Sequence, residues 1–221
     1  MGYALRMTLR ALPLLTGLAP LVGINLAYVI GVQADVLPSC VPYIEGCTSI
    51  SATGRYPPGN MLFRAVMLPQ SVLLLMTWYF AALWLKSVRP ESRAGKAVLA
   101  WGVLGAIALI VYVTFLGTKT PFYEFMRRFG IYFYFIGTVF AQLTLSFAAP
   151  PSRWRKWMLR TLALPFVLGL LNFVQKSVLA NPDPLENGIE WVVSLLTQLW
   201  FLWLYAAWRE TGFEVSVVTR R

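Results

Sequence analysis

Six long apolar runs, separated by short polar segments, dominate the chain. They cover approximately residues 11–32, 62–85, 97–117, 127–149, 158–180 and 189–208. A helix needs roughly 20 apolar residues to cross a hydrocarbon core of about 30 Å, whereas a strand of a membrane barrel needs only about 10. Only helices and closed barrels satisfy the backbone in lipid. The pattern therefore predicts an all-α fold, a bundle of six transmembrane helices.

The composition indicates that lipid is the solvent of this chain. Of its 221 residues, 58% are hydrophobic and only 13% are charged, whereas a soluble domain carries about 25% charged residues. A chain with half that share could not cover a water-facing surface. We therefore expect residues 1–221 to form a single transmembrane domain without an appended soluble module.

Lysine and arginine are distributed unevenly between the two ends of the predicted bundle. If the N-terminus is cytoplasmic, 13 of the 19 basic residues lie on the cytoplasmic side, as is typical of short loops in membrane proteins. We therefore predict two cytoplasmic termini and a location in the cell membrane, which is the inner membrane in a Gram-negative cell. Nucleic acid is not an expected partner despite the net charge of +10, because the basic residues stand at the ends of apolar runs. The other six basic residues are Arg55, Arg64, Lys119, Arg127, Arg128 and Lys176.

The first apolar run has two interpretations. The sequence Val32-Gln33-Ala34 resembles a signal-peptide cleavage site, so a cleaved leader is one of them. However, the run exceeds the 7–15 residues usual for a signal-peptide core, and Asn25 and two prolines interrupt it. A retained first helix is favoured.

The longest polar segment, residues 33–61, is predicted to lie outside the cell. It is rich in Pro, Gly, Ser and Thr, and an ordered loop of this length is usually functional; an unstructured connector is the alternative. Cys40 and Cys47 would face an oxidising compartment, which favours a disulfide over two free thiols. Two cysteines without histidine make a poor ligand set, so we expect no metal and no cofactor.

The same loop carries a resemblance to a known family. It contains Ser49, Ser51, Gly54 and the pair Pro57-Pro58, and runs into Phe63-Arg64. This order of a Ser/Ile-Ser segment, a Gly turn, a Pro pair and a second helix resembles the first outer loop of the FRAG/DRAM/SFK family of six-helix membrane proteins. Phe63-Arg64 is most similar to the branch that acts in lipid remodelling of GPI anchors (post-GPI-attachment factor two).

Two further segments extend the resemblance to the rest of the chain. Glu190-Trp191 opens the last helix and residues 208–214 end it, similar to the family's Glu-aromatic start and acidic-aromatic-Gly exit. Glu124 precedes Arg127 at a place where the family often has an acidic residue followed by His. The small size and short loops are typical of a bacterial homologue. Since bacteria do not make GPI anchors, the resemblance implies lipid handling on a different substrate.

Ionisable residues at membrane depth are costly and therefore informative. Arg64, Arg127 and Lys176 all fall near the predicted outer interface, where they are expected to form a cationic pocket for a phospholipid headgroup. Glu124 or Glu190 would balance their charge. Arginine binds phosphate through a planar fork and lysine as a point charge. The alternative is that these side chains only snorkel to the interface.

Other polar and aromatic positions have structural explanations. Asn172, Gln175 and Lys176 share one face of the fifth run by their spacing, which should point into the bundle. Deeper polar residues such as Gln70 and Gln142 are expected to form interhelical hydrogen bonds. The nine tryptophans stand mostly near the ends of runs, which is typical of an interfacial belt.

Catalysis has little support in this sequence. Histidine is absent, which excludes Ser-His-Asp and Cys-His arrangements. An acyl-transfer enzyme would need one of Glu190, Glu124 and Glu45 as a base, with Glu190 the first candidate. Its nucleophile would be one of Ser49, Ser51 and Thr53, which turn chemistry explains equally well.

Three hypotheses follow. The first is a lipid-handling protein that binds a phospholipid or lipid-anchor headgroup of the outer leaflet and assists remodelling or organisation of the membrane, with membrane lipids as its partners. The second is an enzyme of lipid acyl remodelling. The third is a non-catalytic adaptor for a membrane-protein partner.

Overall fold

The computed structural model of the chain describes residues 9–179 and 183–214, apart from the side chain of Lys176. Within these ranges the backbone forms no strand. Six of its helices are long and apolar enough to cross a membrane, which confirms the all-α six-helix architecture of an integral membrane protein. The α-helices are α1 (Leu12–Gln33), α2 (Pro42–Glu45), α3 (Ile50–Thr53), α4 (Gly59–Val88), α5 (Ala94–Thr114), α6 (Pro121–Ala148), α7 (Arg153–Val178) and α8 (Asp183–Glu210).

The helices differ from the apolar runs mainly at their ends. α6 begins at Pro121 rather than near residue 127, because proline is well suited to the first helical turn and the helix continues past the apolar stretch. α5 ends at Thr114 rather than near residue 117. The loop predicted over residues 33–61 contains the short helices α2 and α3. The apolar length thus marks the membrane core rather than the full helix.

Both chain termini of the described structure lie at the same end of the bundle, as six spans require. Arg10 forms an ion pair with Glu214, and Arg153 Nε lies 3.6 Å from a carboxylate oxygen of Glu210. We call this the terminal end. The opposite end, which carries residues 34–58 and the connection from α5 to α6, is the loop end.

Glycines allow α5 and α6 to pack at very short range. A Cβ placed on Gly137 would stand 2.5 Å from the backbone nitrogen of Gly105 and 2.7 Å from the carbonyl oxygen of Trp101. A Cβ on Gly130 would stand 2.5 Å from the backbone nitrogen of Tyr112. Small residues that let helix backbones approach are the usual basis of tight packing in membranes, so this pair forms the rigid half of the bundle.

Tryptophans fill the interior instead of forming only an interfacial belt. Trp78, Trp84, Trp191, Trp200 and Trp208 are each at most 1% exposed. Two of their N–H groups donate to hydroxyls inside the bundle: the indole of Trp84 donates to Thr211 Oγ1 (2.9 Å) and that of Trp200 to Ser146 Oγ (3.0 Å). The belt prediction was therefore wrong for these five side chains, which are core residues.

Buried amides join the helices as expected. Gln70 Nε2 donates to the carbonyl oxygen of Thr16 at 2.7 Å, and Gln142 Nε2 donates to that of Thr197 at 3.0 Å. The predicted interhelical hydrogen bonds are confirmed at both positions. One bond joins α4 to α1 and the other joins α6 to α8. Each therefore fixes how the two helices that it joins face each other.

α7 is the least buried of the six long helices. Only 17% of its most apolar window is buried, against 33% to 44% for the other five. Phe166, Val167, Leu170 and Phe173 are all more than half exposed and would contact lipid directly. Thus α7 lies at the edge of the bundle, and the space between it and α6 is open.

Candidate functional site: a charged cavity at the loop end

Residues 34–58 fold into a compact cap over the loop end. A disulfide joins Cys40 to Cys47, as predicted. The Tyr28 hydroxyl of α1 accepts a hydrogen bond from the backbone N–H of Cys40 (2.9 Å) and lies within hydrogen-bond distance of the carbonyl oxygens of Pro38 and Cys40. The cap is therefore an ordered structure held against α1, not an unstructured connector.

The cap is also attached to the beginning of α8. Asn187 Nδ2 donates to the carbonyl oxygen of Gly46 at 2.9 Å, and the indole of Trp191 donates to that of Thr48 at 2.8 Å. The ring of Tyr43 meets that of Trp191 edge-on, with centroids 5.1 Å apart. These contacts hold the second half of the cap directly above α8.

The residues of the family-like motif serve different purposes. Ser49 caps α3 by accepting a hydrogen bond from the backbone N–H of Ala52 (3.3 Å), and Ser51 Oγ accepts one from Arg55 (3.2 Å). Gly54 is buried, and a Cβ there would stand 2.5 Å from the side chain of Leu116. Pro57 and Pro58 are exposed and lead into α4. Most of the motif thus shapes the cap, and Ser51 faces the space below it.

A cavity of about 450 Å³ lies beneath the cap, between α6, α7 and α8. Its size falls within the range of about 300–1,000 Å³ that is usual for small-molecule sites. Its polar lining residues are Ser51, Arg55, Tyr112, Arg127, Arg128, Tyr132, Asn172, Glu186 and Glu190. Its apolar lining residues are Ile131, Phe135, Pro165, Gly169, Ile189 and Val193.

Three arginines give the cavity its cationic character. Arg55 comes from the cap, and Arg127 and Arg128 come from the second turn of α6. Among the described side chains, no carboxylate lies within 4.0 Å of their guanidinium groups; the two ion pairs found there are both at the terminal end. Arg55 interacts electrostatically with Arg127. Arg127 also interacts electrostatically with Glu124, and Arg55 with Glu190. The three guanidinium groups nevertheless outnumber the two carboxylates that line the cavity, Glu186 and Glu190, which favours a further anion between them.

Glu190 forms the acidic side of the cavity. It is half-buried, and its carboxylate faces the backbone amides of Ile50 and Ser51 at the beginning of α3. It also borders a small void of about 20 Å³ deeper in the bundle, shared with Tyr134. The carboxylate therefore stands at the floor of the charged region, held by the cap from above.

The cavity changes from polar to apolar with depth. At a rise of about 1.5 Å per residue, Arg127 is about 9 Å below the beginning of α6 at Pro121, and Phe135 is about 21 Å below it. On α7, Asn172 is about 9 Å and Pro165 about 20 Å from the end at Val178. A hydrocarbon core extends about 15 Å on each side of the membrane midplane. The charged groups therefore lie closer to the membrane surface than the apolar walls, which run toward the midplane.

The predicted site residues separate into two groups. Arg127 and Glu190 line the cavity, and Glu124 lines a smaller pocket of about 80 Å³ next to it, together with Arg55 and Arg127. Arg64 is not among the lining residues of either pocket: its guanidinium donates to the carbonyl oxygen of Leu116 at the end of α5. The expected cluster of Arg64, Arg127 and Lys176 is therefore not assembled around Arg64, and the side chain of Lys176 lies outside the described part.

Two of the three side chains on the polar face of α7, Asn172 and Gln175, point into the bundle as their spacing predicts. Asn172 lines the cavity, and Gln175 is buried and donates to Asn172 Oδ1 at 2.7 Å. Gly169 lies on the same wall, and a Cβ placed on it meets nothing within 4 Å. This glycine is not needed for helix packing and leaves the cavity wide at that level.

The residue that the sequence analysis missed is Arg55, which borders both pockets. One signal pointed to it, since it is the only basic residue between Arg10 and Arg64 and stands on the side of the chain poor in basic residues. Within residues 9–179 and 183–214, no group of three His, Cys, Asp or Glu side chains could hold a metal ion. No family model matches the chain, and neither the curated proteins nor the solved structures gave a match.

Proposed function

We propose that this membrane protein binds the phosphate-bearing headgroup of a phospholipid or lipid anchor in the cavity beneath the cap, and thereby assists lipid remodelling or membrane organisation. The observation that carries the proposal is the convergence of Arg55, Arg127 and Arg128 on one cavity without carboxylate partners among the described side chains. Two carboxylates line the cavity beside these three cations, and a phosphodiester would supply further negative charge through bidentate hydrogen bonds.

The position of the cavity favours a lipid over a soluble anion. Its walls continue from the arginines to Phe135 and Pro165, and its α7 side borders helix faces that are exposed to the membrane. A lipid could place its headgroup among the arginines and an acyl chain along the apolar wall. If the termini are cytoplasmic, as the basic residues predict, that lipid belongs to the outer leaflet. The resemblance to the FRAG/DRAM/SFK family agrees with this function.

The test is native mass spectrometry of the protein purified in a mild detergent, with the retained lipids extracted and identified. Wild-type protein should retain one lipid class, and Arg127→Gln should lose most of it, since a hydrogen bond to a charged group contributes about 1.5–3 kcal/mol. Arg64→Gln is the control, because it removes a cation from the same end but outside the cavity. Only variants with wild-type elution and thermal stability are compared. Equal retention by wild type and Arg127→Gln would refute the headgroup site and favour the adaptor hypothesis.

One observation supports a second function, lipid acyl transfer. Ser51 and Glu190 line the same cavity, and Arg55 donates to Ser51 Oγ. In such an enzyme Glu190 would take the hydroxyl proton of Ser51 as Ser51 Oγ attacks an ester carbonyl. The acyl group would pass to Ser51 while the lysolipid alcohol leaves with the proton. The hydroxyl of an acceptor lysolipid would then take the acyl group, and its proton would return through Glu190 to Ser51 Oγ. Glu190→Gln should abolish turnover of a radiolabelled phospholipid while lipid retention persists, whereas under binding alone wild type and variant would both be inactive.

A further inference from the structure

A second cleft, of about 590 Å³, opens at the terminal end between the last turns of α4 and the first turns of α5. Three exposed cations line it: Lys86 from α4, Arg93 at the N-cap of α5 and Lys96 from its first turn. Among the described residues, no carboxylate lines it. Glu91, in the turn between the helices, is outside the lining, so the cleft itself carries three positive charges.

These cations differ from three other arginines at the same end. Arg10 and Arg153 form ion pairs with carboxylates, and Arg89 donates to the carbonyl oxygen of Ala148 at 3.3 Å. Within the part of the chain that the structure describes, Lys86 and Lys96 have neither kind of partner. Snorkelling would explain one such side chain, but here the cations of two helices are directed around one concave surface.

The cleft has an apolar wall below its cations. Tyr79 and Leu83 of α4 and Leu99 of α5 line it, and Tyr79 is 51% and Leu83 39% exposed. Tyr79 precedes Lys86 by seven residues, which is about 10 Å of helix. The wall thus begins at the level of the charges and runs toward the membrane centre, as a binding surface for a lipid chain would.

From this arrangement we infer that the cleft binds an anionic phospholipid, such as a phosphatidylglycerol or a cardiolipin, in the leaflet at the terminal end. Basic pockets between transmembrane helices are suited to such headgroups, because lysine and arginine both bind phosphate. A zwitterionic lipid fits less well, since its amine would meet three cations and no carboxylate. The cavity under the cap differs in this respect, because it contains Glu186 and Glu190. The inference does not depend on the function proposed for that cavity.

The experiment is a titration of delipidated protein with phosphatidylglycerol, cardiolipin and phosphatidylethanolamine, followed by native mass spectrometry. The variant combines Lys86→Gln, Arg93→Gln and Lys96→Gln. The charge-matched control combines Lys156→Gln, Arg160→Gln and Arg209→Gln, three exposed cations of the same end that do not line the cleft. A basic residue near an anionic headgroup contributes about 1 kcal/mol, or roughly fivefold in affinity, so the triple variant should lose on the order of 100-fold for both anionic lipids.

The control variant should keep its affinity to within about threefold, which is below the fivefold expected from one cation. Equal losses in the two triple variants, or equal wild-type affinity for phosphatidylethanolamine and phosphatidylglycerol, would overturn the proposal. A competition arm separates lipid from soluble anion: glycerophosphoglycerol, the headgroup without chains, should displace the lipid only weakly. Displacement at a concentration similar to that of the intact lipid would show that the apolar wall contributes nothing, which also overturns the proposal. Lipid retention by Arg127→Gln is scored separately, so the two sites can fail independently.

Discussion

Helix α6 packs tightly against α5 on one side and leaves an open space toward α7 on the other. On the first side, Gly105 and Gly137 bring two backbones so close that a single added Cβ would overlap the neighbour. On the second, Gly169 faces open space and the helix that carries it is the least buried of the six. Glycine thus closes one interface and widens the other, and the sequence alone does not distinguish the two uses.

The comparison teaches where function can be located in this bundle. The contact surface between α5 and α6 has no room for a ligand among the described residues, because the two backbones meet there. The α7 side has room, and Arg127, Arg128 and Glu190 lie there. Cavities between helices are a usual site for ligands in bundles, and a peripheral helix provides a lateral route from the membrane. Rigid packing on one side therefore supports an open site on the other.

The most direct way to break the comparison is to place the same side chain on both glycines. Gly137→Leu should lower the free energy of unfolding by about 3 kcal/mol, the upper part of the range for overpacking, because its Cβ would stand 2.5 Å from the backbone of Gly105. This corresponds to a decrease in Tm of roughly 6–12 °C. Gly169→Leu should leave Tm unchanged or raise it slightly, since leucine is a better helix former by up to about 1 kcal/mol. Thermal unfolding in detergent measures both, and similar decreases would show that α7 is packed as tightly as α6.

Removing the disulfide should have the next largest effect. The Cys40–Cys47 bond closes a short loop in the cap, and the double variant Cys40→Ser, Cys47→Ser should lose about 2.5 kcal/mol of stability by the chain-entropy estimate. Since the cap contacts α1 and α8 but not the glycine contact of α5 and α6, the loss should be local. Hydrogen exchange should rise at residues 40–53 and stay unchanged at residues 102–109. Faster exchange in both segments would show that the cap holds the whole bundle together.

The fold was predictable because it is determined mainly by the length of the apolar runs along the sequence. A run of apolar residues long enough for lipid must be a helix, and this reasoning found all six spans, with each end within six residues of the helix end. The cap was harder to predict. Its disulfide followed from two cysteines in one outer loop, but its short helices and its attachment to Asn187 and Trp191 depend on contacts between residues more than 100 positions apart.

The candidate site was only partly predictable, for a geometric reason. Arg64 and Arg127 have equivalent places near helix ends, but the rotation of α4 turns Arg64 toward Leu116, whereas α6 turns Arg127 toward the cavity. The rotation of a helix about its own axis is set by packing, such as the contact of Gly137 with α5, and cannot be read from the hydropathy of the sequence. The same reason explains the tryptophans. Trp78 and Trp200 lie in the interior because their helices are rotated so that the two rings pack against each other, with centroids 5.8 Å apart. Asn172 was found because a polar strip on a membrane helix has few other places to go.

The smallest expected effect sharpens the comparison most, because it separates the cavity from the lipid face of the same helix. Gly169→Trp would fill the cavity at the level where its wall is open, whereas Leu170→Trp would place the same side chain on the neighbouring position, which is 66% exposed. Both should fold, since neither disturbs the α5–α6 contact. Retention of the lipid bound by the wild type should fall about tenfold in Gly169→Trp, a difference of about 1.4 kcal/mol, and should be unchanged in Leu170→Trp. Quantitative lipid extraction from equal amounts of folded protein gives the ratio. Equal retention in the two variants would mean that the lipid does not reach the α7 wall, which would confine any ligand to the arginines of the cap and α6.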